Sequence, residues 1–254
     1  MTAQFGLSTR PAPAPTSADI GLVVALPIEV GPFLSKLKNT RKYTGRQFSI
    51  IEGELAGQVI AVCIAGMGRQ ASARGTRLLI EGHHPRWIIS VGFAGALDPR
   101  LKRNDVIMPS EVLDRQGSRF TIDLNVPSGG TLRTGRLVTV DAVVRLAHEK
   151  AALRQRFSAD LVDMETCAVA SLCAERSQRF LSVRIISDVA DVDLPAEITT
   201  IIASSGSYQI GAALGALWRR PSILGELLEL RQRALESAAK LAEFLEGILP
   251  QLGP

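Results

Sequence analysis

The feature that most constrains the fold is an alternation of short, continuously apolar runs with longer segments of helical spacing. The runs at 20–26, 86–92 and 180–187 have the length of strands and the composition of strands buried on both faces of a sheet. Helical spacing lies between them, for example at 69–82 and 142–156. Because the alternation contains no internal repeat, it predicts an α/β fold, a three-layer α/β/α arrangement around a mixed central sheet.

The remaining pattern predicts one large domain. A chain of 254 residues suits a single core, which we expect at 19–250 behind a disordered, Pro- and Ala-rich leader at 1–18. An amphipathic helix is predicted at 222–249; its apolar stripe indicates a core or dimer contact, with a peripheral membrane or partner surface as the alternative. The other predicted elements are a helix at 29–37, a hairpin of 47–55 and 58–64, strands at 105–113 and 136–140, and a helix at 165–176.

Composition argues against several classes of function. The net charge of +4 comes from scattered arginines, not from a basic run with interleaved aromatics, so nucleic-acid binding is not indicated. A mildly basic surface suits anionic substrates or a negative membrane face equally well. No apolar run approaches the ~20 residues that span a bilayer. Three cysteines and three histidines, without the paired spacing of a zinc site, predict a reducing, cytoplasmic location and no metal or other cofactor.

Two carboxylates stand where strands and helices meet. Glu165 lies in the segment VDMET, at the start of the predicted helix, and Asp188 directly follows the predicted strand at 180–187. Ligands of open α/β sheets bind outside the carboxyl ends of the strands, so an acid in that place faces substrate. The alternative is that Asp188 merely begins a loop and that Glu165 is solvated in a first helical turn, where the helix dipole favours acids.

Five segments, in order along the chain, resemble the purine nucleoside and uridine phosphorylase superfamily. They are GLVVALPIE (21–29), AGMGRQASA (65–73), SVGFAGAL (90–97), DMET (163–166) and IISDVAD (185–191). Single Gly-rich turns recur in many folds, but five ordered segments that include both acids are a specific pattern. The resemblance implies a fold of the nucleoside phosphorylase type, cleavage of the N-ribosyl bond of a purine nucleoside, and a homodimer.

The resemblance implies different roles for the two acids. Asp188 is expected, in its protonated form, to donate a proton to purine N7 while Ser187 orients it; burial favours that form. Glu165 is expected to stay ionised, to accept hydrogen bonds from the ribose hydroxyls and to favour the cationic sugar of the transition state. Met164 is expected to contact the sugar face, and its alternative role is ordinary core filling.

Glu29 bears on the choice between hydrolysis and phosphorolysis. Similar nucleosidases have a glutamate one turn after the first strand that activates the attacking water, and Glu29 stands in that position. Phosphorylases of the superfamily instead place arginines around a phosphate. The turn at Gly66 can offer backbone amides to an anion, with Arg69 in support, or can serve tight packing alone. Hydrolysis is favoured. Arg184 is a further candidate residue of the site and is expected to orient a carboxylate.

The base pocket departs from the pattern of adenine-releasing relatives. Where those relatives carry Ser-Gly-Asp-Ala-Phe-Ile, this chain has TVDAVV at 139–144, so Val143 stands in place of a stacking aromatic and Val144 beside it. A predicted loop supplies the remaining candidates, Phe93, Ala94 and Gly95. Phe93 is expected to compensate for the missing aromatic, and adenine is the expected base.

Four functions remain open. The first is hydrolysis of an adenosine-type nucleoside, broadly like methylthioadenosine/S-adenosylhomocysteine nucleosidase. The Arg-Arg-Pro junction at 219–221 and the final helix also resemble hopanoid-associated phosphorylases, which would imply adenosylhopane as substrate and a peripheral membrane contact. The third is a phosphate-dependent purine nucleoside phosphorylase. The fourth, from a different class, is a nucleoside-binding protein on a disabled enzyme fold, against which the intact acids weigh.

Overall fold

The structure, a computed structural model, describes residues 17–122, 133–196 and 223–252. Its strands are β1 (Ile20–Val24), β2 (Lys38–Thr44), β3 (Ser49–Leu55), β4 (Gln58–Ile64), β5 (Trp87–Ala96), β6 (Val106–Asp114), β7 (Arg119–Thr121), β8 (Thr134–Thr139), β9 (Leu161–Asp163) and β10 (Arg179–Asp188). Its helices are α1 (Pro27–Leu34), α2 (Arg69–His83), α3 (Ala147–Phe157), α4 (Thr166–Glu175) and α5 (Ile223–Ile248), with a 3-10 turn at Leu249–Gln251. The predicted alternation of strands and helices is confirmed.

The strands form one mixed sheet with β5 at its centre. β5 runs parallel to β1 on one side and to β10 on the other, and its last residues pair antiparallel with β9. Beyond β1 the sheet continues through β4, β3 and β2. Beyond β10 it continues through β6 and β8 to β9, which returns to β5, while β7 pairs with β6. The sheet therefore closes on itself at one end and stays open at the other.

Alternate residues of β1 separate the two helical layers. Leu22 and Val24 belong to the core that includes residues of α1 and α5, whereas Val23 belongs to a second core with α2 and α4. α1 packs against α5, and α2 packs against α4. Because helices cover both faces, every residue of β1 is buried, which is the physical reason for its continuously apolar sequence. The predicted three-layer arrangement is confirmed.

Several boundaries differ from the prediction. α3 begins at Ala147, so 142–146 is irregular and the predicted helix at 142–156 starts too early. The predicted loop that contains Phe93 is the end of β5, because β10 and β9 pair with it. Hydrophobic periodicity does not predict β2 or β9, because β2 is an exposed, charged edge strand and β9 has only three residues.

The predicted C-terminal helix is present as α5. In its second half Ala238, Leu241, Leu245 and Ile248 are buried, and the helix packs along α1 and β10. The core interpretation is confirmed for this half. Within the described ranges, no helix combines the length and the hydrophobicity that crossing a bilayer requires. Most of the predicted leader lies outside the described residues; Ala18, at its end, is buried and its backbone N–H donates to the carbonyl of His83 at 2.8 Å.

Candidate active site

The candidate residues lie at the carboxyl ends of parallel strands. β1, β4, β5 and β10 are parallel to their neighbours in the centre of the sheet, so their carboxyl ends meet at one edge. Glu29 follows β1, the Gly66 turn follows β4, and Asp188 ends β10. Glu165 arrives from β9, which pairs with the end of β5. The topology therefore brings acids from distant parts of the sequence to a single edge.

Glu29 is held by backbone amides at the junction of β1 and α1. It stands in the first turn of α1, where its Oε2 accepts a hydrogen bond from the Leu26 N–H at 2.7 Å. Its Oε1 accepts one from the Phe93 N–H on β5 at 2.9 Å. Burial raises the pKa of Glu29, and these hydrogen bonds and the Arg184 charge oppose the rise only in part. A carboxyl in such surroundings is suited to accepting a proton.

The absence of a side chain at Gly92 leaves room for the Glu29 carboxylate against the sheet. A Cβ at position 92 would lie 2.7 Å from Glu29 Oε1 and 3.1 Å from Arg184 Nη1. Any larger residue would therefore displace the carboxylate or the guanidinium. Glycine in this stretch permits close approach of side chains to a strand.

Glu165 immediately precedes α4 and faces the first turn of α2. Its Oε1 accepts a hydrogen bond from the Gly68 N–H at 2.7 Å, and its Oε2 accepts one from the Met164 N–H at 3.2 Å. Burial, followed by the charge of Asp163, raises the pKa of Glu165 to about 7. The ionised state expected of Glu165 against the ribose stays a prediction.

Asp188 is held by side chains. The Ser187 hydroxyl donates to its Oδ1 at 2.7 Å, which agrees with the predicted orienting role of Ser187. The ammonium of Lys150, from α3, lies 2.7 Å from its Oδ2. Gly95 is the residue of β5 in register with Asp188, and a Cβ there would lie 3.1 Å from Oδ2. Lys150 was not a sequence-based candidate, because a lysine in a polar helical segment normally indicates a solvated face.

Arg184 orients a carboxylate, as predicted, but the carboxylate is Asp163. Its Nε and Nη2 lie 3.0 and 2.9 Å from Asp163 Oδ2. Nη2 also donates to the hydroxyls of Ser90 and Thr166, at 2.6 and 2.7 Å. The side chain is only 2% exposed, so it lies behind the acids. Its Nη1 is buried and has no hydrogen-bond partner within the described part of the chain.

The base-pocket candidates occupy two elements. Val143 and Val144 lie in the irregular segment before α3 and are half-buried, and Val144 and Met164 pack against the same hydrophobic cluster. On β5, Phe93 is half-buried and Ala94 is buried, with its carbonyl 3.3 Å from the Ser187 hydroxyl. Compensation by Phe93 for the missing aromatic stays a prediction. Met164 packs against the hydrophobic core and also lies beside Glu165 in sequence.

The Gly66 turn does not leave Arg69 available for an anion. Gly66 has a φ of 92°, a conformation that favours glycine. Arg69 Nη1 lies 3.3 Å from Asp114 Oδ2, its Nε lies 2.9 Å from Asp141 Oδ1, and its Nη2 donates to the Thr139 carbonyl at 3.2 Å. Arg69 is thus paired with two carboxylates. Within the described residues, no group of His, Cys, Asp and Glu side chains is arranged to hold a metal ion.

Comparison with known proteins gives the family. A methylthioadenosine/S-adenosylhomocysteine nucleosidase of Tolumonas auensis is 26% identical over 228 residues, which are 78% of this chain and 99% of the relative. The structure of an S-adenosylhomocysteine nucleosidase from Streptococcus pyogenes, in complex with 5-methylthiotubericidin, is 18% identical with a TM-score of 0.72, covering 94% and 98% of the two chains. A futalosine hydrolase mutant of Helicobacter pylori is 18% identical with a TM-score of 0.70, covering 94% and 100%.

The sequence profile of the phosphorylase superfamily matches residues 19–129 and 127–209, about three quarters of the chain. These ranges contain every candidate residue of the edge described above. The chain therefore belongs to the phosphorylase superfamily.

Proposed function

We propose that this protein hydrolyses the N-ribosyl bond of an adenosine-type purine nucleoside and releases the base. The observation that carries the proposal is the meeting of Glu29, Glu165 and Asp188 at one sheet edge, with Arg184 behind them. The likeness to methylthioadenosine/S-adenosylhomocysteine nucleosidases supports the substrate class. A pure binding protein has no need of a proton donor at the leaving group.

The base leaves with a proton from Asp188. A purine cannot depart easily as an anion, so protonation at N7 as the bond breaks lowers the barrier. Ser187 and Lys150 hold the Asp188 carboxyl at the end of β10. We assign Asp188 as the general acid.

Water is the nucleophile in this proposal, and Glu29 is its base. Glu29, Glu165 and Arg184 line one narrow interior space between β1 and β5. Burial raises the pKa of Glu29, which suits this carboxyl to accept a proton from the attacking water. Arg69, the cation nearest to the Gly66 turn in sequence, is already paired with two carboxylates, which disfavours phosphate.

Glu165 is assigned to the ribose. As a carboxylate it accepts hydrogen bonds from the sugar hydroxyls and stabilises the positive charge that grows on the sugar in the transition state. The N–H of Gly68 fixes one of its oxygens. Met164, next in sequence, is assigned to the sugar face. Val143, Val144 and Phe93 are assigned to the base.

The assembly and the location are also proposals. We propose a single domain at 19–250 that functions as a cytoplasmic homodimer. The family resemblance supports the dimer, and three buried cysteines without disulfides are compatible with a reducing compartment. An adenosylhopane substrate with peripheral membrane contact is less favoured, because the second half of α5 turns its apolar face to the core.

The test is release of adenine from methylthioadenosine in phosphate-free buffer, with the sugar product identified by mass spectrometry. Hydrolysis yields the free sugar at an unchanged rate when phosphate is added. A strict requirement for phosphate, with a sugar 1-phosphate as product, would overturn the hydrolase assignment. Turnover restricted to adenosines with long apolar 5′ groups would support the adenosylhopane alternative. Binding of the nucleoside without any turnover would point to the disabled enzyme.

A further inference from the structure

Lys150 is a fully buried lysine whose ammonium group lies among three oxygen atoms. Its side chain has 0% relative exposure. Its Nζ donates hydrogen bonds to the carbonyl oxygens of Val189 and Val192, at 2.7 and 3.1 Å, and forms an ion pair with Asp188 Oδ2 at 2.7 Å. An ammonium group is a donor only, and all three of its neighbours are acceptors.

Such a buried charge is costly unless its partners are arranged for it. Removing an ammonium from water carries a penalty that Coulomb attraction and hydrogen bonds return only when their geometry is good. A buried ion pair is therefore weak support for a stabilising role. The partner of Lys150 is the proposed general acid, and not an acid elsewhere in the core. Its position calls for a role in the chemistry of that acid.

Further hydrogen bonds join the segment that follows β10 to the segment that follows Val143 and Val144. The Arg145 guanidinium donates to the Leu194 carbonyl at 2.7 Å, and the Leu194 N–H donates to the Arg145 carbonyl at 2.9 Å. The Ala147 N–H donates to Asp193 Oδ1 at 2.7 Å. Arg145, just before α3, and Ala147, at its start, therefore hold the segment after Asp188, and Lys150 holds it one turn later. Asp188 keeps a fixed relation to the Val143 and Val144 segment, which directly precedes α3.

We propose that Lys150 is a positioning residue that fixes the Asp188 carboxyl and stabilises the carboxylate left when its proton passes to the purine. This inference rests on the proposed function. In the step, the Asp188 O–H bond breaks and the N7–H bond forms, while the N-ribosyl electron pair goes to the base. Lys150 keeps its three protons throughout. Its positive charge makes the newly formed carboxylate more stable, so proton transfer to the base is favoured.

The first experiment measures kcat and KM of Lys150→Met with methylthioadenosine. Methionine has a similar length and no charge. We expect kcat to fall about 100-fold, the lower end of what general acid assistance supplies, while KM changes by less than about threefold. Lys150→Arg keeps the charge and is expected to recover at least about tenfold of the loss. The matched control is Arg154→Met, because Arg154 lies one turn further along α3 and pairs with Asp98 and Asp160 instead.

A double-mutant cycle with Asp188→Asn separates this role from simple structural support. If Lys150 acts through Asp188, adding Lys150→Met to Asp188→Asn lowers kcat by less than about twofold. A further fall equal to that of the single variant overturns the proposal. So does a Lys150→Met enzyme with wild-type kcat, or one in which KM alone changes. If Lys150→Met does not fold, Lys150→Gln replaces it, and equal activity of Lys150→Gln and Lys150→Arg overturns the role of the charge.

Failure of this inference is distinct from failure of the proposed function. The wild-type assay in phosphate-free buffer tests hydrolysis alone. Hydrolysis by the wild type with no coupling between Lys150 and Asp188 would leave the function standing and remove the role of Lys150. Absence of hydrolysis in the wild type would remove both.

Discussion

The two sides of the candidate site hold the same chemical group in different ways. Glu29 is buried and Glu165 is half-buried, both are held by backbone N–H groups, and desolvation raises the pKa of both, that of Glu165 to about 7. Asp188 is held by side chains, a hydroxyl and a buried ammonium. The surroundings of the two glutamates are therefore set by burial and by the backbone, whereas those of the aspartate are set by side chains from two other positions of the chain.

The difference shows that the charge of an acid follows from its surroundings and not from its place in a motif. The proposed mechanism requires an ionised Glu165, which is the reverse of what its burial favours. Ribose hydroxyls that donate to Glu165 would favour its ionised form. Substrate contacts thus supply the charge state of Glu165 that the protein alone does not.

The largest expected effect removes the proton donor of the aspartate side. We expect Asp188→Asn to lower kcat for methylthioadenosine by about 100- to 10,000-fold, because the amide cannot protonate the base. The measurement is adenine release, with circular dichroism to show that the fold persists. A decrease of less than about tenfold in a folded variant would contradict the general acid role of Asp188.

A somewhat smaller loss is expected on the glutamate side. Glu29→Gln keeps the size of the side chain but cannot take a proton from water, so we expect kcat to fall by about 100-fold or more. Nucleoside affinity, measured by calorimetry, should stay within about threefold. A Glu29→Gln variant with near-normal turnover would show that another group activates the nucleophile.

The pH dependence tests the raised pKa of Glu165. Since the folded-state pKa is about 7, the carboxylate is gained only as pH rises through neutrality. We expect kcat/KM to fall about tenfold per pH unit below this value and to level off above it. The stability linked to the protonated form has the opposite sign, because it is complete below the ordinary pKa of a glutamate and is lost as pH rises through about 7.

A matched variant identifies the group that titrates. Glu165→Gln should lack the acidic limb of the kcat/KM profile and should also show a melting temperature less dependent on pH over the same interval. An unchanged acidic limb in this variant would assign the titration to another residue, with Glu29 as the first candidate.

The smallest expected effect concerns the strand that supports Glu29. A Cβ at position 92 would lie 2.7 Å from Glu29 Oε1, so Gly92→Ala must shift the carboxylate. We expect kcat to fall roughly 10- to 100-fold, as displacements near 1 Å can do. The control is Gly82→Ala on α2, where a Cβ would meet nothing within 4 Å. It should leave kcat unchanged; equal losses in both variants would exclude a specific effect on Glu29.

Local pattern predicted most of the strands and helices because hydrophobic periodicity follows the type of secondary structure. Apolar runs marked the buried strands, and the hairpin at Ala56 and Gly57 is present with a positive φ at both residues. The pattern failed where pairing overrides local signal. Residues 93–95 are predicted as a loop, yet they belong to β5, because β10 lies beside them, and at Gly92 and Gly95 the acids of other elements occupy the space of a missing side chain.

The site was predicted only in part, for the same physical reason. Glu29, Glu165, Ser187 and Asp188 could be named from motifs, and they meet at one edge. Lys150 could not, because a lysine among Glu, Arg and Gln in a helix has the composition of a solvated face. Its partner is 38 residues away in sequence, and nothing local indicates the pairing. His83, at the end of α2, is likewise buried, and its Nε2 lies 2.9 Å from Glu52 Oε1 on β3, a pairing that no local pattern indicates.

The sequence by itself determined the alternation of strands and helices, and with it the placing of acids at the carboxyl ends of parallel strands. Only the tertiary structure decided which groups surround these side chains. Asp188 lies beside an ammonium, the two glutamates accept from backbone amides, and Arg69 lies between two carboxylates. The reason is physical. Secondary structure follows from residues near in sequence, whereas the electrostatics of a buried group depends on neighbours from distant parts of the chain and on the water that packing excludes.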